Sequence, residues 1–72
     1  MNDCFIGEVG LTGEVRRVSR IEQRISEAKK HGFKRAVVPA GNMKNTEFPP
    51  EIEIIPVKDI RECLDIAFGS IF

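Results

Sequence analysis

Six basic side chains in the first half of the chain, Arg16, Arg17, Arg20, Arg24, Lys34 and Arg35, are the residues best suited to chemistry with a partner. Guanidinium and ammonium groups engage phosphate oxygens without reading base sequence, so a cluster of them points to an anionic partner such as a nucleic-acid backbone. Arginine is also enriched at protein–protein contacts, and the same residues fit a subunit interface. Strict alternation sends Arg16 and Arg17 to opposite faces of a strand, so only one of them joins Arg20 and Arg24 unless a bulge intervenes. No aromatic residue is interleaved with them. Phe5, Phe33, Phe48, Phe68 and Phe72 read as core or loop positions, which argues against stacking on single-stranded bases.

Nucleophilic and metal chemistry finds less to work with. Ser19, Ser26 and Ser70 stand in no nucleophile–base motif. His31 is the only histidine, lacks a second ligand for a metal, and suits the last turn of a helix, where a cation meets the negative end of the helix dipole. Cys4 and Cys63 lie 59 positions apart and form neither a zinc pattern nor a disulfide framework. They read as buried free thiols of a reducing compartment. Asp59, Glu62 and Asp65 recur at i, i+3 and i+6 and read as the solvated face of a helix.

The elements that must position these residues follow from hydrophobic spacing and from turn residues. Met1 to Asp3 read as a start or a cut edge. A β-hairpin is expected over about residues 4–18: Phe5 to Leu11 as one strand, Thr12-Gly13 as a two-residue turn with Gly13 at positive φ, and Glu14 to Val18 as the return. Gly7 and Gly10 inside the first strand signal a bulge or a close backbone approach. Ser19 and Glu22 form the capping-box pattern S-x-x-E before a helix at about 20–31. Ile21, Ile25 and Ala28 give that helix a narrow apolar stripe, flanked on one side by Arg20, Arg24, Glu27 and His31, and Gly32 ends it. A strand follows at about 34–38, ended by Pro39. The connection over 39–51 is long enough to favour a helical turn near 42–47. A strand buried on both faces is expected at about 52–57. A second helix at about 59–68, with Ile60, Cys63, Leu64, Ala67 and Phe68 as its stripe, is closed by Gly69.

Seventy-two residues allow one small domain that buries only about 60% of its unfolded surface. The formal charge is zero, yet residues 1–38 carry eight Lys/Arg against five acids, and residues 39–72 carry three against six. That split places the excess positive charge on the segment bearing the arginines. No apolar run reaches the roughly 18–20 residues of a membrane span and no signal-peptide core is present, so a cytoplasmic protein is expected. Two helices over a four-stranded sheet cover one sheet face and leave apolar residues on the other, so further chain or another subunit is expected there.

The segments G-E-V-G-L-T-G-E-V-R, R-I-E-Q-R and G-F-K-R-A within residues 7–39 closely resemble the C-terminal part of the RadA (Sms) family of bacterial DNA-repair proteins. The likeness continues more weakly through IEIIPVKDIRECLDIAF at 52–68 and covers about nine-tenths of the chain. The resemblance implies an α/β (α+β) fold, β-hairpin–helix–strand–strand–helix, forming the C-terminal half of a Lon-protease-like (ribosomal protein S5 domain 2-like) domain. It places Glu22 where Lon carries its catalytic lysine, while the family's serine-bearing segment would lie upstream, so no peptide cleavage is expected. ATP, Mg and Zn would belong to the family's N-terminal ATPase and zinc finger, since neither a Walker A pattern nor C-x-x-C occurs here. The implied role is DNA contact and assembly within a hexameric, ATP-driven branch-migration motor. A degenerate peptidase fragment, or an interaction module without a nucleic-acid role, is the alternative.

Overall fold

The computed structural model describes residues 3–68. The expected roles of Met1, Gly69, Ser70 and Phe72 lie outside them. The described chain is a small α+β unit built on a three-stranded parallel sheet. β1 (Asp3–Phe5) pairs with β4 (Arg35–Pro39), and β4 pairs with β5 (Glu53–Val57), giving the order β1-β4-β5. A separate antiparallel pair, β2 (Glu8–Val9) and β3 (Val15–Arg16), stands beside it.

The expected hairpin over 4–18 is therefore shorter, because the chain from 3 to 9 serves two sheets. Gly7 marks the change. A side-chain carbon there would lie 2.9 Å from Val15 Cγ1 and 3.4 Å from Pro39 Cγ, so only glycine lets the backbone pass between the hairpin and the end of β4. The loop of the hairpin has three residues, not two. Gly10 N–H bonds Glu14 O at 2.8 Å, Gly13 N–H bonds Gly10 O at 3.1 Å, and Gly13 takes φ 87°. A turn followed by one left-handed residue matches the twist of the two strands, and glycine adopts it without a Cβ penalty.

α1 (Ile21–Lys30) buries Ile21, Ile25 and Ala28, the expected stripe. These pack on Ala36 and Val38 of β4 and on Ile52, with Cys4, Phe33, Phe48 and Ile54 around them. All the sheet residues in that set are at even positions and share one face. The helix ends as Gly32 predicts. At φ 87° it allows Gly32 N–H to reach Lys29 O and Phe33 N–H to reach Ala28 O, the paired bonds of a Schellman motif. Its start differs from expectation. Arg20 is the N-cap, in the left-handed region at φ 57°, ψ 39°, and no side chain caps the first turn. The S-x-x-E box of Ser19 and Glu22 does not form.

The capping that the sequence suggested at Ser19 appears at the second helix instead. α2 (Ile60–Phe68) is preceded by Asp59, whose Oδ1 accepts the Glu62 N–H at 3.0 Å, while Glu62 Oε1 accepts the Lys58 N–H at 2.5 Å. Two of the three acids read as mere solvated surface thus cap the helix. Its first turn is also tied to the hairpin, since Val15 N–H bonds Lys58 O and Ile60 N–H bonds Gly13 O, both at 2.8 Å.

α2 lies against the odd-numbered face of the sheet, opposite α1, so the two helices do not share a face as expected. Its coverage is thin: no α2 residue is buried. Phe5, Val9, Val15, Val37, Ile60, Leu64 and Phe68 line an open apolar groove of about 360 Å³. β5 is less enclosed than expected, with Glu53 and Pro56 exposed and Val57 alone fully buried. The 39–51 connection contains a single 3₁₀ turn (Ala40–Asn42), earlier than the turn expected near 42–47, and Pro39 ends β4 as its last residue.

Candidate functional site

The six basic candidates separate into two groups according to what holds them. Arg16 is bound on the hairpin: its Nε and Nη2 donate to Glu14 Oε2 at 3.1 and 2.9 Å. Arg35 is bound in the sheet, where it faces Asp3 across the β1–β4 register and donates to both carboxylate oxygens at 2.9 and 2.6 Å. That forked pair is half-buried, and the guanidinium holds the Asp3 carboxyl below its ordinary value. Lys34 is exposed at the start of β4 and its carbonyl accepts the Glu53 N–H.

Arg17, Arg20 and Arg24 are exposed, and no carboxylate lies within ion-pair distance of any of them among the described residues. They come from one continuous stretch between the end of β3 and the second turn of α1. Arg17 follows the last residue of β3. Arg24 Nε donates to Ser19 O at 3.3 Å, which folds its side chain back toward the helix start. Three guanidiniums without a carboxylate partner among the described residues thus belong to the stretch 17–24 that leads into the uncapped first turn of α1, where free backbone N–H groups add positive potential. Glu22 is the acid of that turn and is exposed.

Asn42 carries no signal in the sequence. It is a buried polar side chain, 3% exposed, bonded to the backbone of Val18 beside these arginines. Nothing local marks it, because its partner is 24 positions away in sequence.

Elsewhere the chemistry is structural. His31 Nε2 lies 3.7 Å from Glu27 Oε2, one turn back on the flank expected for both. Lys29 Nζ ties α1 to Glu51 at 2.6 Å. Cys4 and Cys63 are free and half-buried, less enclosed than expected; Cys4 packs on the α1 core and Cys63 lines the groove, and burial pushes both thiols up. Among the described residues no three His, Cys, Asp or Glu side chains converge as metal ligands. No described helix is long and apolar enough to cross a membrane.

The hairpin loop carries a carboxylate with a displaced titration. Glu14 accepts from the Thr12 hydroxyl at 2.5 Å and the Thr12 N–H at 3.2 Å, besides Arg16. The Thr12 hydroxyl is the largest cause, followed by Glu14's own amide and Arg16, and together they bring its pKa down to about 2. A carboxyl whose folded pKa is depressed stabilises the fold above its unfolded value of about 4.5, and that contribution is lost as pH falls from there toward 2. A carboxyl-detected NMR titration should place Glu14 near 2, and Thr12→Val should raise it more than Arg16→Ala does. Titration of Glu14 near 4.5 in the wild-type chain would show that the loop hydrogen bonds do not persist in solution.

Comparison with known proteins adds the family. The family described as "Subunit ChlI of Mg-chelatase" matches residues 2–42, more than half of the chain. The chain belongs to that family. The chain is also similar to proteins named DNA repair protein RadA. The one from Bacillus subtilis (strain 168) is 60% identical over 68 residues, which are 94% of this chain and 15% of that protein. That of Listeria monocytogenes is 55% identical over 62 residues, 86% of this chain and 14% of that protein. That of Streptococcus pneumoniae is 52% identical over 67 residues, 93% and 16%. The chain thus spans about 15% of the length of these relatives and corresponds to a C-terminal part of them. These relatives are the proteins that G-E-V-G-L-T-G-E-V-R and the motifs after it resemble.

Proposed function

We propose that this chain is a non-catalytic, DNA-contacting and assembly module of a RadA-type repair protein, folded as the C-terminal half of a Lon-protease-like domain. The observation that carries the DNA half of the proposal is the segregation of the arginines. Arg16 and Arg35 have carboxylate partners, whereas Arg17, Arg20 and Arg24 are exposed on one short stretch and have none among the described residues. An unpaired guanidinium cluster at a helix start is suited to phosphates of any base sequence. In this reading Lys34 is a peripheral contact, and Arg16 and Arg35 reach DNA only by leaving their present partners. ATP, Mg and Zn act in other parts of the protein, and Glu22 takes no catalytic role.

Alanine at Arg17, Arg20 and Arg24 should weaken binding of duplexes of unrelated sequence to the same extent. Every arginine–phosphate pairing that is removed should flatten the slope of log K against log salt by about 0.7–0.9. Wild-type affinity and slope in the triple variant would remove DNA contact from the proposal. A change in oligomer size with the slope intact would assign the arginines to a subunit interface.

The assembly half rests on the apolar groove, which also favours the second reading, a protein-interaction module without a nucleic-acid role. Leu64 is 49% and Phe68 76% exposed, beside Phe5 and Val9. Contiguous apolar surface of this kind marks association. Sedimentation should show the chain above monomer mass at rising concentration, and Leu64→Asp should return it toward monomer. A monodisperse, highly stable monomer at all concentrations would contradict this half.

A further inference from the structure

The loop that carries the arginines is held by Asn42. Its Oδ1 accepts the Val18 N–H at 2.9 Å and its Nδ2 donates to Val18 O at 2.9 Å, so both polar groups of the amide close on both backbone groups of one residue. Val18 lies between Arg17 and the Ser19-Arg20 turn. Beside the clamp, the backbone of the 3₁₀ turn lies against Arg17, since a side-chain carbon at Gly41 would be 3.5 Å from Arg17 Cβ. Beyond it, Arg24 holds Ser19 O, and Arg20 keeps a left-handed backbone that non-glycine residues seldom adopt alone. The segment is thus fixed from the side of β4, by a residue with no charge of its own to offer a ligand.

We propose that Asn42 is a positioning residue for phosphate binding: by clamping Val18 it holds Arg17, Arg20 and Arg24 in the arrangement that meets a nucleic-acid backbone. The inference rests on the DNA-contacting reading above and assigns its pre-organisation. Releasing the clamp lets the loop sample other shapes, and apparent affinity falls in proportion to the fraction still competent. The bound state keeps the same arginine–phosphate pairings, so the salt slope stays unchanged.

The test is a salt series of binding to a mixed-sequence DNA duplex, with the folded fraction followed by circular dichroism. Sucrose, which favours the folded state, is present throughout because Asn42→Ala also costs stability. Asn42→Ser, which keeps a polar group in the site, is read in the same way if alanine leaves too little folded chain. A competent fraction of about one-tenth raises Kd about tenfold with the slope of the wild type. On the background of Arg17→Ala, Arg20→Ala and Arg24→Ala, the Asn42 change should weaken binding no further, because nothing remains to be positioned. Wild-type Kd in the folded Asn42 variant, a flattened slope, or an effect that adds in full on the triple background would each overturn the positioning role while leaving DNA contact standing. Absence of binding by the wild-type chain, or wild-type behaviour in the triple arginine variant, would instead bring down the DNA-contacting reading and this inference with it.

Discussion

Asn42→Ala is expected to lower the unfolding free energy by roughly 2–6 kcal/mol, since it strands the N–H and the C=O of Val18 in a buried site at about 1–3 kcal/mol each. A domain of this length has only about 4–11 kcal/mol in all. Urea unfolding would therefore show a large fall in midpoint. Asn42→Leu separates the hydrogen bonds from the volume: it fills the space yet satisfies neither backbone group, and should lose at least as much. Recovery of wild-type stability in Asn42→Leu would mean that packing, and not the clamp, fixes the 17–20 loop.

A similar loss is expected in the core under α1, and its absence on α2 is equally informative. Ile25 is fully buried between Ile21 and Ala28 and packs on the even face of the sheet. Ile25→Ala removes that apolar volume and leaves a cavity, at about 3–4 kcal/mol. Leu64, half-exposed on the groove, should cost under about 1 kcal/mol when changed to alanine in the monomer. The asymmetry arises because α1 is held by packing, whereas α2 is held at its first turn by Asp59, Glu62 and the backbone bonds to Gly13 and Val15. Equal losses at Ile25 and Leu64 would show that α2 is far better packed in solution than the open groove implies.

By itself the sequence determined the features that depend on near neighbours in the chain. The Ile21–Ile25–Ala28 stripe, the stop at Gly32 and the positive φ of Gly13 are local, because helical period and glycine's missing Cβ act within a few residues. The resemblance to RadA was legible for the same reason, since its motifs are contiguous. Tertiary structure decided the rest. The 3–9 segment suits a hairpin or a parallel strand equally well by pattern, and only the docking of Asp3–Phe5 on β4 divides it. S-x-x-E at 19–22 and D-x-x-E at 59–62 read alike. Val18 is clamped and Arg20 takes the left-handed region, and the first box stays open, whereas Lys58 and Ile60 are bonded to the hairpin and the second box closes. Whether an arginine is spent or available was equally invisible, because Arg35 meets an acid 32 positions away and Arg17, Arg20 and Arg24 meet none among the described residues. Strand pairing, helix faces and ion-pair partners join distant residues, and a single chain of residue types does not encode which distant pairs meet.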